Sequence, residues 1–334
     1  ESIPEDVSLV YWDYYSEKKS TYDNMLDRHR EMADHIIFAG GAWKWMGFCP
    51  NNHYSLKIAR LAHESCKEHG VNEVLITAWG DNGGETPMFS ILPALQYWAE
   101  LCWANNQSEE AAAKRLAVSC GASWEDFLLL DEPHFSPGNQ ERRCGNTAHK
   151  YLLYQDVLQG LFDAHVRPDE YAAFYAACAG KLEASAAKGG EWAYLPRTEA
   201  LLCRVLEKKC RAGIDLRQLY LAGDKEGLGR YAENDLPELL ARVEAFAAAF
   251  HSQWLHENRP AGLDAFDIRI GGVLQRTRTA IERVKAYVAG ETDRLEELEQ
   301  PRLPYDGKEH PQGQEDLGSF FWDKAILPTD ISAI

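Results

Sequence analysis

The first hundred residues alternate short apolar runs with longer amphipathic stretches, three times in succession. The apolar runs at 7–12, 36–39 and 74–78 are rich in Val, Ile and Leu, and each is followed by a loop and then by a stretch with helical period. Apolar runs joined by helices are typical of strands that are buried on both faces of a parallel sheet. The pattern therefore predicts three βα units within residues 1–106.

The helices of these units are predicted at about 21–33, 55–70 and 89–101, with Ser55 as the N-cap of the second helix. Three parallel strands leave two open edges, so partner strands must come from elsewhere. In a (β/α)8 barrel, these would be the last three units, and five more would precede Glu1. The predicted fold class is therefore α/β, part of a TIM barrel, followed by a mainly α-helical C-terminal domain.

From about residue 107 the strand signals end and long Ala- and Leu-rich segments with helical period take over. We predict an α-helical domain at 107–300, and an irregular tail at 301–334 that packs back on the body. Ser123 and Asp126 have the capping-box spacing, and Asp235 is the predicted N-cap of a helix with Pro237 in its first turn. The helices are predicted near 146–165, 169–187, 195–212, 236–250 and 274–289.

Charge and cysteine usage limit the partners and the compartment. The chain has 35 Lys and Arg against 52 Asp and Glu, a net charge of −17 that disfavours nucleic acid and membrane surfaces as partners. Its eight cysteines are scattered without a paired framework, which favours reduced thiols and a cytoplasmic setting. His63, Cys66 and His69 spread over too wide an arc of one helix to bind a metal, so neither a metal nor a cofactor is predicted.

Aromatic and acidic residues follow all three predicted strands. Because the carboxyl ends of parallel strands share one edge of a sheet, these side chains are expected to form one wall of a pocket. Indole faces pack against sugar rings, and carboxylates accept hydrogen bonds from sugar hydroxyls. The alternative is that these aromatic side chains simply belong to the hydrophobic core. Trp12 points to the opposite side of its strand from Tyr11 and is expected to pack against a helix. The wall consists of Tyr11, Asp13, Trp43, Trp79 and Asp81.

Four segments of the chain resemble glycoside hydrolase family 20, the β-N-acetylhexosaminidases, and above all the subgroup with a C-terminal helical domain. They are the Tyr11-x-Asp13 strand end, the strand and loop 38–43, the loop 79–83 and, in the helical part, the segment 267–272. The resemblance implies hydrolysis of terminal β-linked N-acetylhexosamine, GlcNAc or GalNAc. In that mechanism the 2-acetamido group of the substrate is the nucleophile.

The resemblance also implies roles for the wall. Tyr11 would hold the acetamido oxygen, Trp79 would form the floor under the sugar, Asp13 and Asp81 would bind its hydroxyls, and Trp43 would line the pocket. The catalytic Asp-Glu pair of the family belongs on an earlier strand. Asp131-Glu132 lies downstream of the last βα unit and is expected not to be catalytic.

This chain alone is therefore expected to be inactive without the N-terminal half of the barrel. Two alternatives stay open at this point. The chain could be a sugar-binding module without catalysis, or its helical region could serve mainly as a dimer interface, with a homodimer as the assembly.

Overall fold

The computed structural model describes residues 3–4, 6–105, 107–139, 147–305 and 307–308. The chain divides into two compact units by its internal contacts. The sheet unit comprises residues 1–45, 50–80 and 88–131, and the helical unit comprises residues 46–49, 81–87 and 132–334. The segment 107–131 thus belongs to the sheet unit by its contacts. The predicted domain boundaries at 106 and 300 stay predictions.

The described part of the sheet unit holds a three-stranded parallel sheet, as predicted. Its strands are β1 (Leu9–Trp12), β2 (Ile36–Gly41) and β3 (Glu73–Thr77), hydrogen-bonded in the order β1-β2-β3. Tyr11 lies beside Phe38 in the register, and Phe38 lies beside Val74. β1 and β3 are therefore the edge strands of the described sheet.

Helices of the sheet unit follow each strand. The predicted cap of the second helix is wrong: Asn51 caps it by accepting from the Tyr54 amide, while Ser55 lies one turn inside and accepts from the Trp43 amide at 2.9 Å. The predicted cap at Ser123 is confirmed, because its hydroxyl accepts from the Asp126 amide at 3.3 Å. The helices are α1 (Lys19–Arg30), α2 (Asn52–Glu68), α3 (Leu92–Ala104), α4 (Glu109–Cys120) and α5 (Trp124–Leu128), with a 3₁₀ turn at Met88–Ile91. A further 3₁₀ turn, Leu129–His134, begins in this unit and ends in the helical unit, and a third, Asp81–Gly83, belongs to the helical unit.

The two faces of the sheet differ in what covers them. On one face Tyr11 contacts Tyr22 and His29 of α1, with ring centroids 6.4 and 5.1 Å apart. On the other face the aligned residues Trp12 and Leu75 are each about half exposed. Apolar side chains on an open sheet face usually mark a surface that another element covers.

The helical unit is built around the long helices α8 (Tyr194–Leu221) and α10 (Leu236–Glu257). α8 packs against α6 (Ala148–Tyr154), α7 (Pro168–Ala186) and α10, and α10 packs against α11 (Leu263–Ala289). The predicted cap at Asp235 is wrong, since Asp235 has helical dihedral angles, makes no side-chain cap and ends a π-helix, Tyr231–Asp235, that runs directly into α10. The helices are α6 (Ala148–Tyr154), α7 (Pro168–Ala186), α8 (Tyr194–Leu221), α9 (Lys225–Arg230), α10 (Leu236–Glu257), α11 (Leu263–Ala289) and α12 (Glu296–Glu299), with a 3₁₀ turn at Asp163–His165.

The first residues after α12 pack on the helical unit. The Arg302 guanidinium donates to the Asp163 carboxylate at 3.1 Å and to the carbonyl of Leu158 at 2.7 Å. The Tyr305 ring lies 5.0 Å from that of Phe162. These contacts cover the start of the predicted tail, and most of its remainder lies outside the described residues.

The cysteines of the described residues are not paired with one another. The seven cysteines in the described ranges are free thiols, and Cys144 lies outside those ranges. Cys66 is buried on α2, and burial raises the pKa of its thiol to about 12. On the same helix, His69 bonds the carbonyl of Ser65. Among the described helices, none combines the length and the apolar character needed to cross a membrane.

Candidate functional site

Two tryptophans form an exposed aromatic pair at the carboxyl ends of the edge strands. Trp12 is the last residue of β1, and Trp79 follows the end of β3 by two residues. Their ring centroids are 5.5 Å apart with an interplanar angle of 35°, and the residues are 48% and 38% exposed. The prediction that Trp12 packs against a helix is wrong, because Tyr11 occupies the helix-covered face of β1 and Trp12 takes the other face.

Tyr11 and Asp13 lie on one side, as alternation predicts, but their polar atoms bond each other and the loop. The buried Tyr11 hydroxyl donates to Oδ2 of Asp13 at 2.7 Å. Oδ1 of Asp13 accepts from the amides of Tyr15 and Ser16 at 2.9 and 3.0 Å. Burial, followed by the Asp13 carboxylate, raises the pKa of Tyr11 well above its usual range, so the phenol stays a donor. The pair closes the turn after β1, and its predicted contacts with sugar stay predictions.

Trp43 lies in the interior of an aromatic cluster. Its side chain is fully buried, and its indole N–H donates to the carbonyl of Tyr14 at 2.8 Å. Its ring centroid is 4.5 Å from that of Trp45, 4.9 Å from Tyr54 and 5.1 Å from Tyr15. Trp43 therefore lies in the hydrophobic core, which was the alternative to a role in the pocket wall. It is not part of the exposed pair of Trp12 and Trp79.

Asp81 begins a tight loop that belongs to the helical unit. It is exposed and starts the 3₁₀ turn Asp81–Gly83. Gly83 and Gly84 follow with φ angles of 110° and 61°, a left-handed backbone that other residues rarely adopt. A Cβ at Gly83 would lie 2.3 Å from Nη1 of Arg269, so the absence of a side chain at Gly83 lets this guanidinium approach the loop.

Glu85, two residues past Gly83, is the ionic centre of the helical unit. Its side chain is 1% exposed and lies 2.7 Å from the ammonium of Lys150 on α6 and 2.8 Å from the guanidinium of Arg269 on α11. The Tyr154 hydroxyl donates to the same carboxylate. Burial, followed by the Glu85 charge, raises the pKa of Tyr154 well above its usual range. Two cations thus converge on one buried carboxylate.

The loop 46–49, which follows β2, is held in the same unit. Phe48 is buried among Tyr154, Phe246, Phe250 and Phe266, with ring centroids 5.6–6.3 Å away. Burial of one such side chain stabilises by about 1.5–3 kcal/mol. The loops after β2 and β3 are thus both built into the helical unit.

Histidine and threonine side chains bond the backbone of this loop. Nε2 of His149 accepts from the Phe48 amide at 3.1 Å, and Nε2 of His134 donates to the carbonyl of Cys49 at 3.0 Å. Thr86, beside Glu85, donates its hydroxyl to the carbonyl of Gly47 at 2.7 Å. Thr86 therefore joins the two loops directly.

Asp131 of the Asp131-Glu132 pair has a structural position. Its carboxylate is fully buried and accepts from the His53 amide at 2.7 Å, from Nδ1 of His53 at 2.8 Å and from the Asn52 amide group at 3.2 Å. Asp131 thereby binds the N-terminus of α2, where a carboxylate is favoured. In the helical unit, Glu132 pairs with Lys181 at 3.0 Å.

A second Asp-Glu pair, Asp169-Glu170, lies in the first turn of α7. Asp169 pairs with Arg211 at 3.1 Å, Glu170 pairs with Arg167 at 2.8 Å, and both carboxylates are exposed. Acidic residues in a first helical turn interact favourably with the helix dipole. In this structure Asp131 binds the N-terminus of α2, and Asp169 and Glu170 lie at the N-terminus of α7.

The loops after β2 and β3 are thus part of the helical unit, and an exposed aromatic pair lies at the carboxyl ends of the edge strands. Residues 125–317 match the family model described as Glycoside Hydrolase 20C C-terminal domain. The match covers more than half of the chain, so the chain belongs to this family. A search of curated proteins gave no match. The segment 267–272 lies inside the matched region, and the three strand ends lie outside it.

Replacing Glu85 by Gln should be strongly destabilising. Removing one member of a buried ion pair leaves the remaining charge without compensation and costs about 3–5 kcal/mol. The measurement is the free energy of unfolding in urea, followed by circular dichroism. Glu244→Gln is the matched control, because Glu244 is half-exposed, pairs with Arg278 and should change stability by less than about 1 kcal/mol. Equal losses for the two variants would contradict a central role of Glu85.

His149 should make stability depend on pH. Burial, followed by the charges of His134 and Lys150, lowers the pKa of His149 well below its usual range, and its Nδ1 has no partner among the described residues. Below about pH 6.5 the unfolded chain binds a proton at His149 that the folded chain does not. The free energy of unfolding therefore falls by about 1.4 kcal/mol for each further pH unit of acidification.

Urea unfolding at about pH 8 and about pH 5.5 tests this sign. His149→Gln cannot titrate and should lose this part of the pH dependence. His256→Gln is the control, because His256 is an exposed residue of α10 and should leave the dependence unchanged. An unchanged pH dependence in His149→Gln would rule out this source.

Proposed function

We propose that this chain is the C-terminal portion of a glycoside hydrolase that removes terminal β-linked N-acetylhexosamine, GlcNAc or GalNAc. The observation that carries the proposal is the exposed Trp12–Trp79 pair at the strand ends. Indole faces bind the C–H faces of sugar rings, and an exposed aromatic pair on a rigid sheet offers such a surface without reorganisation. Membership of the glycoside hydrolase 20C family supports the same class of substrate.

The reaction we propose is the substrate-assisted, retaining hydrolysis that the family resemblance implies. The acetamido oxygen of the substrate attacks the anomeric carbon, the bond to the leaving oxygen breaks, and a general acid protonates that oxygen. Water then opens the resulting oxazolinium ion with retention of configuration. The work of this chain is to hold the sugar so that its own nucleophile is aligned.

The residues of this chain divide the binding roles. In the sheet unit, Trp79 and Trp12 stack on the sugar ring. In the helical unit, the exposed carboxylate of Asp81 keeps its predicted role as an acceptor for sugar hydroxyls. Tyr11 could hold the acetamide only after its hydroxyl leaves Asp13, so we assign Tyr11 and Asp13 first to the shape of the loop after β1. Trp43 supports that loop from the interior through its bond to Tyr14.

The strands are proposed to be the last three of a (β/α)8 barrel. The apolar side chains Val10 and Leu75 are exposed on the open sheet face and support this arrangement, because side chains from further strands would cover them. The general acid would then come from an Asp-Glu pair on the N-terminal half of the barrel, the proposed partner of this chain. The bonded positions of Asp131 and Asp169 support a donor outside this chain.

Trp79→Ala should weaken binding of N-acetylglucosamine at least about tenfold, which corresponds to about 1.4 kcal/mol, because the stacking surface is lost. Trp12→Ala should act in the same direction. The measurement is isothermal titration of the chain with the free sugar. Trp103→Ala is the matched control, because Trp103 is an exposed tryptophan of α3 in the same unit. Saturable binding that is unchanged in both Trp12→Ala and Trp79→Ala would exclude the aromatic pair as the site.

The chain alone should release no aglycone from an aryl β-N-acetylglucosaminide, and addition of a polypeptide that supplies the first five βα units should restore release. The reason is that substrate alignment without a general acid leaves the leaving oxygen unprotonated. Appreciable release by the chain alone would overturn the proposed division of roles. Sugar binding without release in either preparation would favour a binding module without catalysis.

A further inference from the structure

We propose that Arg269 and Lys150 of the helical unit are positioning residues for Asp81, the residue of the same unit with a predicted sugar-binding role. They hold Glu85, and through it the loop 81–87, so that the carboxylate of Asp81 has one fixed place. This inference rests on the proposed function only in the role of Asp81. The hold on the loop is a property of the helical unit itself.

The loop cannot fix its own conformation. It is short, and the two consecutive glycines that follow Asp81 and Asn82 have left-handed backbones. Glycine loses more conformational entropy on ordering than any other residue, so a Gly-Gly segment samples many conformations unless outside contacts select one. The place of Asp81 therefore depends on what holds the residues after it.

Those outside contacts are concentrated on two consecutive residues. Glu85 forms ion pairs with Lys150 and Arg269 and accepts a hydrogen bond from Arg269, and the Thr86 hydroxyl donates to the carbonyl of Gly47. Ion pairs on exposed side chains contribute little to stability, whereas the charges of a buried pair must stay together because separating them leaves an uncompensated charge in the interior. The loop is thus anchored at its C-terminal end.

Arg269 contacts this loop at a second point. Its Nη1 bonds Glu85 at 2.8 Å, and the same nitrogen lies 2.3 Å from the position that a Cβ of Gly83 would take. One planar guanidinium therefore covers the left-handed turn and bonds the anchor beyond it. A lysine ammonium would keep the charge but could not cover the turn, because it is a compact group on a flexible stem.

The test compares Arg269→Lys and Arg269→Gln with the wild-type chain. Amide hydrogen exchange of 81–87 should become at least tenfold faster in both variants, and the affinity for N-acetylglucosamine should fall about fivefold or more, about 1 kcal/mol. Arg269→Lys retains the positive charge next to Glu85 and should keep a urea midpoint near that of the wild type. Its loss of affinity therefore separates positioning from folding.

Arg278→Gln is the matched control. Arg278 lies on the same helix α11 and pairs with half-exposed Glu244, so its loss should leave both the exchange of 81–87 and the affinity unchanged. Gly83→Ala approaches the same contact from the loop side, since its new Cβ would meet Nη1 of Arg269. The combination of Gly83→Ala with Arg269→Lys should cost less affinity than the sum of the single effects, because both changes remove one contact.

The outcomes are distinguishable. Unchanged exchange of 81–87 in both Arg269 variants would overturn the proposal, and so would faster exchange with an unchanged affinity. If the wild-type chain binds no N-acetylglucosamine while exchange in the variants is faster, the proposed function fails and the hold of Arg269 on the loop stands. Faster exchange together with weaker binding supports both.

Discussion

The buried carboxylate of Glu85 is the constraint on which the arrangement of the helical unit depends. Removing a carboxylate and two cations from water is costly, and their attraction offsets that cost only when all three groups are in place together. Lys150 comes from α6, Arg269 comes from α11 and Glu85 comes from the loop after β3. The loop and these two helices therefore gain their order as one cooperative set. His149, the neighbour of Lys150 on α6, extends the same set to the loop 46–49 through the Phe48 amide.

Regular elements could be predicted from the sequence wherever periodicity carried the signal. All three strands, their parallel pairing and the helices near 169–187, 195–212 and 236–250 were predicted, because apolar runs and i, i+3, i+4 spacing reflect burial that each segment needs for itself. The helix predicted near 146–165 is wrong in its second half, because α6 ends at Tyr154 and the chain continues in turns to the 3₁₀ turn Asp163–His165. Helix ends were predicted less well. α11 begins at Leu263 and not near 274, because its first turns expose residues such as Ile268 and weaken the apolar stripe. The cap at Asp235 failed because the π-helix before α10 leaves no helix start at that point.

The candidate site was only partly predictable, for a different physical reason. Alternation correctly places Tyr11 and Asp13 on one side of β1, but it cannot say which side faces the helices. That choice is made by Tyr22 and His29 of α1, which pack on the Tyr11 ring and leave Trp12 on the open face. The role of Glu85 was equally hidden, since its guanidinium partner is 184 residues away in the chain. An acidic residue in a glycine-rich loop is normally exposed to solvent. The tertiary fold alone brings Lys150 and Arg269 to the Glu85 carboxylate.

The matched family region and the contact-defined helical unit differ in a way that bears on function. The match begins at residue 125 and contains Lys150 and Arg269, whereas the Glu85 they bond lies in the loop 81–87 outside it. A fragment that starts at residue 125 would retain both cations without the Glu85 carboxylate, so it would carry the cost of burying them without the attraction that offsets it. The helical region is therefore completed by two loops that follow the strands. A change in α6 or α11 that moves these cations therefore acts first on the loop 81–87, which carries Asp81.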